Sequence, residues 1–467
     1  MRMRLLTRVI IFLLSTVALL SCKKQHVEKQ VDFWENTVEL DLDEIKKRGF
    51  IRAIVDNTST SYYIYRGRRM GYEYEMLRNL SKDLGVNLKI FVASDIDEAF
   101  RKLNEGKVDI IAINLEKTAD RTDLASFTKA TNEIRTVLVQ RNGEEGTVQD
   151  LKDLEGRTVH VREGAVYKKQ LQMWKDSLQL DFRIKEMPYD SEGLVNLVVQ
   201  KDIDFTVVDE DVASVNSNYY PQLDVSLEIS PASKVGWAVR SNSTKLLAGV
   251  NKWLTTFNKS SYQAILYDKY FVNKTNSYFR SNSPFSSISG NRISAYDEMI
   301  KKAAEGIGWD WRLLAALIFK ESRFDTEAIS YAGASGLLQL MPVTLERFGV
   351  SDPNDPFESL MGGVNYLKYL DKYWQKRVPE VNERIKFILA SYNVGHGHVD
   401  DAWRLALKDG YNPSEWDNVA IFLKQKSNPE IYRDPVVKSG YAKGHLAVNY
   451  VEDVYGLFES YKVLVEP

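Results

Sequence analysis

The chain has 467 residues, of which 62 are Lys or Arg, 64 are Asp or Glu and 44% are hydrophobic. This composition is typical of a globular protein, and the length predicts about three domains or lobes. The formal charge of −2 supplies no electrostatic field that would hold nucleic acid, so we predict no nucleic-acid partner. The single cysteine, Cys22, excludes intramolecular disulfides and cysteine-based zinc or iron–sulfur sites.

The N-terminus has the pattern of a secretion signal. Arginines at positions 2, 4 and 8 precede an apolar run over residues 9–20, which is shorter than the roughly 20 residues of a membrane-spanning helix. The run ends in Leu-Leu-Ser-Cys, which resembles the lipobox of bacterial lipoproteins. The resemblance implies a signal peptide over residues 1–21, a lipid on Cys22 and a lipidated tether over residues 22–41. An ordinary signal peptide with an incidental cysteine is the alternative.

The residue after the cysteine bears on the destination of the protein. Lys23 stands there instead of Asp, and in the bacterial sorting pattern this favours the outer membrane. We therefore expect a lipid-anchored protein on the periplasmic side of the outer membrane. No transmembrane segment is predicted elsewhere in the chain.

The next region alternates strand-like and helical patterns. The strand-like runs cover residues 51–55, 88–92, 108–113, 158–161 and 205–208, and a helical stretch covers residues 74–84. Alternation of this kind predicts an α/β domain over residues 42–272. Residues 273–292 are rich in Ser and Asn and contain Pro284 and Gly290, which predicts a linker.

Several motifs of the α/β region resemble family 3 extracellular solute-binding proteins. They lie at residues 71–76, 103–109, 118–121, 151–157, 164–167 and 202–209. The resemblance implies two lobes that close over an amino-acid-like ligand or a peptidoglycan stem peptide, with Arg121 at the ligand carboxylate and Asp209 at its ammonium. A surface salt bridge for Arg121 and a strand-end cap for Asp209 are the alternatives. Ala165 replaces the hydroxyl residue of the family, which leaves the ligand open.

From residue 293 to residue 467 the apolar spacing is helical. The predicted helices cover residues 294–305, 310–323, 343–348, 363–374, 381–392, 399–407 and 442–458. This pattern predicts a second, mainly α domain over residues 293–467. The predicted fold class is therefore a two-lobed α/β domain followed by a mainly α domain.

One carboxylate continues the buried stripe of a predicted helix. Leu314, Leu317, Ile318 and Glu321 are spaced at i, i+3, i+4 and i+7, so they share one face. Burial and the negative end of the helix dipole both raise the pKa of a carboxyl group there, as a general acid near neutral pH requires. Alternatively, Glu321 turns to solvent and pairs with Lys320 or Arg323.

The motifs that follow this helix resemble the soluble-lytic-transglycosylase family, which has a lysozyme-like fold. They are Glu-Ser at 321–322, Gly-Leu-Leu-Gln at 336–339, Ser-Tyr-Asn at 391–393 and Asn-Tyr-Val at 449–451. Leu338 and Ser391 depart from the Met and Ala of the family. The resemblance covers residues 293–460 and implies a peptidoglycan-cleaving lyase that acts on glycan strands.

The resemblance also assigns roles to residues. It implies that Glu321 is the sole catalytic acid and base, with Ser330 close to it and to the N-acetyl group of the sugar. Gln339 matches the substrate-lining motif, and Ser335 is placed to cap a helix that carries it. Tyr392 and Asn393 match the motif that flanks the catalytic carboxylate, and Tyr450 matches the tyrosine of the cleft wall. For the two tyrosines, half-buried core aromatics are the alternative.

A single carboxylate restricts the reaction. Glycosidases usually use two carboxylates. The candidate for a second carboxylate here is Asp325, but it lies at the helix exit and is expected in a turn. In the family, the C6 hydroxyl of MurNAc attacks C1, so the MurNAc–GlcNAc β-1,4 bond breaks without hydrolysis and a 1,6-anhydroMurNAc end forms. The alternatives are a non-catalytic receptor lipoprotein that binds wall fragments and a hydrolytic muramidase. The sequence leaves exo against endo cleavage open.

Neither of two metal-like patterns has a full ligand set. The stretch at 352–356 begins like a calcium loop, but Pro356 stands at a ligand position and Phe357 where Gly is needed. His396 and His398 have no nearby third ligand. We therefore predict no metal and no cofactor.

Overall fold

The first lobe of the structure is an α/β sandwich. The chain is described by a computed structural model over residues 38–93, 95–143, 146–273, 283–288 and 291–465. The elements up to the first crossover are α1 (Leu42–Arg48), β1 (Phe50–Val55), β2 (Tyr63–Tyr65), β3 (Arg68–Met70), α2 (Tyr72–Leu84), β4 (Asn87–Val92), α3 (Ile96–Asn104), β5 (Ile110–Glu116), α4 (Ala119–Leu124), β6 (Ser126–Phe127) and β7 (Asn132–Ile134). β1 pairs in parallel with β4 and β5, and it is buried on both faces at its end, as a central parallel strand should be.

The second lobe is inserted after β7. Its elements are β8 (Thr136–Arg141), a 3₁₀ turn (Leu151–Leu154), β9 (Thr158–Arg162), α5 (Tyr167–Leu178), β10 (Arg183–Met187), α6 (Ser191–Gln200), β11 (Phe205–Asp209), α7 (Glu210–Tyr219) and β12 (Leu223–Asp224). The sheet order is β10-β9-β11-β8-β12. Helix α5 packs on one face of this sheet, and α6 and α7 pack on the other.

The chain then returns to the first lobe. It forms β13 (Ser233–Val239), α8 (Thr244–Phe257), α9 (Ser261–Tyr267) and a π-helical turn (Asp268–Val272). β13 enters the first sheet antiparallel to β5, which gives the order β4-β1-β5-β13-β6. The two lobes are therefore joined by two crossing segments, one on each side of the inserted lobe.

The C-terminal part is helical. Its helices are α10 (Asp297–Glu305), α11 (Trp311–Ser322), α12 (Pro342–Arg347), α13 (Pro356–Trp374), α14 (Val381–Val394), α15 (His396–Lys408), α16 (Trp416–Lys424), α17 (Pro429–Tyr432) and α18 (Gly444–Leu464). The predicted fold class is confirmed. Helix α13 begins seven residues earlier than predicted because Asp355 accepts a hydrogen bond from the Glu358 N–H and Pro356 occupies the first turn. Helices α16 and α17 are absent from the predicted set.

A hairpin of the first lobe contacts the helical part. We call β2, β3 and the turn between them the docking hairpin. Tyr62, just before it, donates a hydrogen bond from its hydroxyl to Ser460 Oγ at 2.7 Å. Gly67, in the turn, adopts a φ of 73°, and a Cβ there would lie 2.7 Å from the rings of both Phe319 and Phe324. The hairpin turn therefore fits closely against the end of α11, and glycine permits that approach.

Part of the predicted linker adds to the docking hairpin. Ser287 N–H donates to the Ile64 carbonyl at 2.9 Å, and Arg66 N–H donates to the Phe285 carbonyl at 2.8 Å. A β-bridge also joins Tyr65 to Ser286. The described part of the linker, residues 273, 283–288 and 291–292, thus includes a stretch that is bonded to the hairpin. Its polar composition concealed these contacts because they are made mainly by backbone groups.

Candidate functional sites

Glu321 lies in the last turn of α11. Asp310 caps the start of this helix, and its carboxylate accepts a hydrogen bond from the Arg312 N–H at 2.9 Å. It ends because Arg323 and Phe324 adopt left-handed φ angles of 55° and 64°, which non-glycine residues rarely do. Leu314, Leu317 and Ile318 are fully buried, and Glu321 continues their stripe as a half-buried side chain.

The surroundings of Glu321 favour its neutral form. Burial raises the pKa of the carboxyl group to about 7, against the opposing effects of the Tyr450 hydroxyl and of Lys320. Tyr450 donates a hydrogen bond to Glu321 Oε1. Lys320 itself forms an ion pair with Asp453 at 2.5 Å. Glu321 therefore faces the protein interior, and the alternative of a solvent-directed pair with Lys320 or Arg323 is not what the structure has.

Tyr392 and Asn393 lie near the end of α14. The Tyr392 hydroxyl donates to the Leu338 carbonyl at 2.5 Å, so it ties α14 to the loop that carries Gln339. Burial, and then the charge of Glu321, hold the pKa of Tyr392 well above its ordinary value, which brings Tyr392 into the electrostatic neighbourhood of Glu321. Asn393 is exposed.

The loop between α11 and α12 carries Ser330 and Gln339. Ser330 Oγ accepts the Ala334 N–H at 3.0 Å. The predicted helix around Gln339 is wrong, because the residue lies in a turn with a φ of 46°. Its side-chain amide donates to the carbonyls of Ala328 at 2.7 Å and Gly336 at 2.9 Å. Gln339 therefore holds the loop together from within.

Gly336 is needed because the loop passes very close to the start of α13. A Cβ at this position would lie 2.2 Å from the Pro353 carbonyl oxygen and 2.3 Å from Ser359 Oγ. The close approach is thus to the chain itself, and it packs the loop against the start of α13.

Asp325 occupies a turn, as expected for a residue at the helix exit. It is exposed, and its Oδ1 accepts the Glu327 N–H at 3.0 Å. In the described residues, no carboxylate is among the groups that shift the pKa of Glu321. The site therefore offers one carboxyl group, that of Glu321, whose pKa is about 7 and which accepts a hydrogen bond from the Tyr450 hydroxyl.

A second candidate site is the cavity between the two α/β lobes, which we call the interlobe cavity. Its volume is about 30 Å³, and its lining residues are Asp56, Thr58, Thr60, Ser61, Glu73, Ile96, Ile113, Asn114, Arg162, Ala165, Tyr167, Ser191, Asp209 and Val212. Two contacts close the lobes over it. Arg162 pairs with Asp56 at 2.5 Å, and Ser59 N–H donates to Glu192 Oε1 at 2.7 Å.

Of the two ligand-binding residues predicted for this domain, Asp209 lines the cavity and Arg121 does not. Asp209 lines the cavity and accepts a hydrogen bond from the Tyr167 hydroxyl at 2.9 Å, and its side chain does not cap α7. Arg121 is buried but is not among the lining residues. Its guanidinium donates to the carbonyls of Glu116 and Gly164, each at 3.2 Å, so it is not a surface salt bridge either.

Sequence reasoning missed the acidic character of this cavity. Asp56 and Glu73 are buried and line it together with Asp209. Glu73 is part of the motif at 71–76, but as an acidic residue in the first turn of a helix it has the pattern of an exposed residue that interacts with the helix dipole. In the structure it is buried in a cavity that residues of both lobes line.

Two family models match the chain. The model described as bacterial extracellular solute-binding proteins, family 3, matches residues 51–273, and the model described as transglycosylase SLT domain matches residues 298–413. Membrane-bound lytic murein transglycosylase F of Desulfosudis oleivorans is 32% identical over 421 residues, which are 90% of this chain and 91% of the relative. The chain belongs to the family of membrane-bound lytic murein transglycosylase F.

A second relative of the same name covers a similar share of the chain. The protein of Pseudomonas fluorescens is 29% identical over 434 residues, which cover 91% of this chain and 87% of the relative. Among solved structures, the P235GK mutant of ArgBP from T. maritima has a TM-score of 0.46 at 22% identity, and the match covers 50% of this chain and 100% of that chain. The transglycosylase model ends before α18, so Tyr450 lies outside the matched range.

The N-terminal predictions fall outside the described part of the chain. Cys22, the signal peptide over residues 1–21 and the tether as far as residue 37 lie there. Within the described residues, no helix is both long and apolar enough to cross a membrane, and no group of three or more His, Cys, Asp and Glu residues is arranged to hold a metal ion.

Proposed function

We propose that this chain is a peptidoglycan lytic transglycosylase. It cleaves the MurNAc–GlcNAc β-1,4 bond of glycan strands and leaves 1,6-anhydroMurNAc ends. The observation that carries this function is Glu321, a half-buried carboxyl group with a pKa of about 7 and a hydrogen bond from Tyr450. Membership of the transglycosylase F family supports the same activity.

Glu321 acts first as an acid and then as a base. With a pKa of about 7, a large fraction of the carboxyl group carries a proton at neutral pH and donates it to the glycosidic oxygen. The resulting carboxylate then takes the proton from the C6 hydroxyl as that oxygen attacks C1 of the same sugar. The substrate supplies the nucleophile, so no second carboxylate is required and no water is consumed.

The other residues bind and position the sugar. Tyr450 holds one oxygen of Glu321 and keeps the other free for the substrate. Tyr392 and Gln339 stabilise the loop that forms the cleft wall, through the Leu338 carbonyl and the Ala328 carbonyl respectively. Ser330 is proposed to contact the N-acetyl group of the sugar, and Asn393 is proposed to bind the substrate beside the catalytic carboxylate.

Analysis of products from purified sacculi tests this function. Anhydro ends, detected by mass spectrometry, are the expected product of a transglycosylase. Reducing ends would instead identify a hydrolytic muramidase, and binding to sacculi without any product would identify a non-catalytic receptor. Glu321→Gln is the matched control, because it preserves size and hydrogen bonding but removes the acid.

We also propose that the protein is a lipoprotein of the outer membrane, anchored through lipid on Cys22. The relatives are named membrane-bound, and an acylated N-terminal cysteine gives stable anchoring without a membrane-spanning helix. The tether then lets both domains reach the cell wall from the periplasmic side. It ends before residue 41, where it was predicted to end, because the first lobe already holds Leu40, whose carbonyl accepts a hydrogen bond from the Arg240 guanidinium at 2.8 Å.

The N-terminal domain is proposed to regulate the catalytic domain when it binds a stem peptide or an amino-acid-like ligand. Thr60 and Ser61 line the interlobe cavity immediately before the docking hairpin, and Glu73 lines it immediately after. The tip of that hairpin contacts Phe319 on α11, two residues before Glu321. A ligand that moves the cavity residues therefore acts on a segment that contacts the catalytic helix.

A further inference from the structure

We propose that β10 and the concave surface beside it bind an acidic, extended peptide segment of a partner protein by strand addition. We call this surface the basic groove, and its lysine and arginine lining residues are Lys168, Lys175, Arg183 and Lys185. It has a volume of about 730 Å³ and shares no lining residue with the interlobe cavity. The groove belongs to the second lobe alone, apart from both sites described above.

Strand β10 is an edge strand with an open side. The sheet order places it at one end, beside β9. Arg183 N–H donates to the Arg157 carbonyl at 2.8 Å, and the Met187 carbonyl accepts an N–H from the residue after β9 at 3.1 Å. Backbone groups of successive residues in a strand point to opposite sides, so Ile184 and Glu186 direct theirs away from β9. Within the described ranges no strand pairs with that side, which leaves it free to accept another strand.

Ion pairs neutralise the wall of the groove that α5 forms. Lys168 pairs with Glu186 at 2.5 Å, and Lys175 pairs with Asp181 at 3.4 Å. Ile184 packs with the hydrophobic residues between α5 and the sheet. This wall therefore offers an incoming strand an apolar contact and little net charge.

The opposite face of β10 carries the excess positive charge. Arg183 and Lys185 share that face by alternation and lie in register with Thr158 and His160 of β9. Both cations are exposed, and among the described residues neither has an ion-pair partner. Burial, and then the charge of Lys185, lower the pKa of His160, so its ring is neutral at pH 7. Two positive charges are thus left for a ligand.

These charges determine which strand can add to the edge. A second copy of β10 is repelled, because Arg183 and Lys185 of the two copies would lie close together. A strand that alternates acidic and apolar residues is complementary, since it places carboxylates beside the two cations and apolar side chains beside Ile184. Its backbone also supplies partners for the N–H and C=O groups of Ile184 and Glu186. The fitting occupant is therefore an acidic strand from another protein.

Calorimetry on the full mature chain in detergent tests the proposal with three heptapeptides, each acetylated and amidated at its ends. The first alternates Glu and Val, and the second alternates Lys and Val. The third has the sequence of the first with every backbone amide N-methylated, so it keeps the charges but cannot donate the hydrogen bonds of a strand. We expect the first peptide to bind at least about tenfold more tightly than either of the others.

Variants locate the binding on β10. Lys185→Glu should weaken binding of the acidic peptide by about tenfold or more, whereas Lys152→Glu, at an exposed lysine of the same lobe, should leave it unchanged. Ile184→Pro removes an N–H on the open side without breaking a bond to β9, and it should weaken binding to a similar extent. The N-methylated peptide probes the same hydrogen bonds on the wild-type chain, so the test does not depend on the folding of Ile184→Pro.

Three results would overturn the proposal. Equal binding of the N-methylated peptide would mean charge attraction without strand addition. Binding of the acidic peptide that Lys185→Glu does not weaken would place it elsewhere on the protein. Binding of inorganic phosphate without any binding of the acidic peptide would identify a site for small anions instead.

Discussion

Tyr461 donates a hydrogen bond to the Gly67 carbonyl at 2.6 Å, across 394 residues of sequence. Tyr461 belongs to α18, which also carries Tyr450, the donor to Glu321. Gly67 belongs to the docking hairpin. This contact therefore joins the lobe that carries the ligand cavity to the same helix that supports the catalytic carboxyl group.

Gly67→Ala should destabilise the protein more than a glycine replacement elsewhere. Gly85→Ala is the matched control, since Gly85 has a φ of 71° and a Cβ there would meet no atom within 4 Å, whereas at Gly67 two aromatic rings lie 2.7 Å away. The left-handed backbone costs roughly 1–2 kcal/mol at either position. The clash should add about 1–3 kcal/mol at Gly67. Urea unfolding measures both, and equal losses would contradict the tight fit of the hairpin.

Glu321→Gln should reduce release of anhydro-muropeptides by about 10²–10⁴-fold, since it removes the acid and base together. Asp325→Asn, the control at the helix exit, should leave activity near that of wild type because its turn hydrogen bond can still form. Retained activity in Glu321→Gln would disprove the assignment.

The Glu321→Gln variant should be at least as stable as wild type in alkaline solution. The folded-state pKa of Glu321, about 7, lies above the ordinary value of 4.5, so the folded protein binds the proton more tightly than the unfolded chain. Stability is therefore lost as the pH rises from the ordinary value through 7, and a glutamine avoids that loss. A lower denaturation midpoint of the variant at pH 8 would contradict this account.

Activity should fall above pH 7, because the acid form of Glu321 is then lost. Tyr450→Phe should move that fall to higher pH, since the tyrosine hydrogen bond lowers the pKa of Glu321. The kcat/KM profile against pH reads this directly. A profile that keeps its position, with only its height reduced, would mean that Tyr450 contacts the substrate and does not adjust the acid.

Cys22→Ser should release the protein from membranes, because the described residues contain no helix that could hold it there. Cell fractionation after a salt wash, with the wild-type chain processed in parallel, measures the change. Recovery of the variant with the outer membranes would contradict the lipoprotein assignment.

Stem peptides should change the rate of anhydro-muropeptide release if the N-terminal domain regulates the catalytic one. Differences of roughly 5–150-fold are usual for such coupling. Arg121→Ala should weaken the effect if Arg121 reaches the ligand when the lobes open, whereas Tyr62→Phe should retain binding but lose coupling, since it removes the bond to Ser460. Binding by calorimetry with unchanged turnover would leave only a docking role.

The periodic parts of the chain could be predicted and the contacts between distant segments could not. The stripe of Leu314, Leu317 and Glu321 was readable because helical spacing repeats within one segment. Helix α16 was also readable, since Trp416, Val419 and Leu423 share a face, but it was overlooked. The hydrogen bond of Tyr450 to Glu321 spans 129 residues, and no local pattern specifies it.

The interlobe cavity likewise has one residue that a local motif predicts and one that it does not. Asp209 follows a buried strand and could be placed at the lobe boundary from its motif. Glu73 has the local pattern of a surface residue, and it is buried in a cavity that residues of both lobes line. The positions of site residues in this domain thus depend on lobe closure, which is a property of the whole chain. Their functional roles, like those of the residues around Glu321, stay predictions.

The docking hairpin has a consequence for the solubility of a catalytic domain that is produced on its own. A catalytic domain produced on its own from residue 293 would lose the cover of the hairpin, and the rings of Phe319, Phe324 and Tyr461 would then face solvent side by side. Exposed aromatic patches of this kind favour self-association and poor solubility. The N-terminal lobe thus shields an aromatic surface of the catalytic domain from solvent. An isolated catalytic domain would need polar replacements on that surface to remain monomeric.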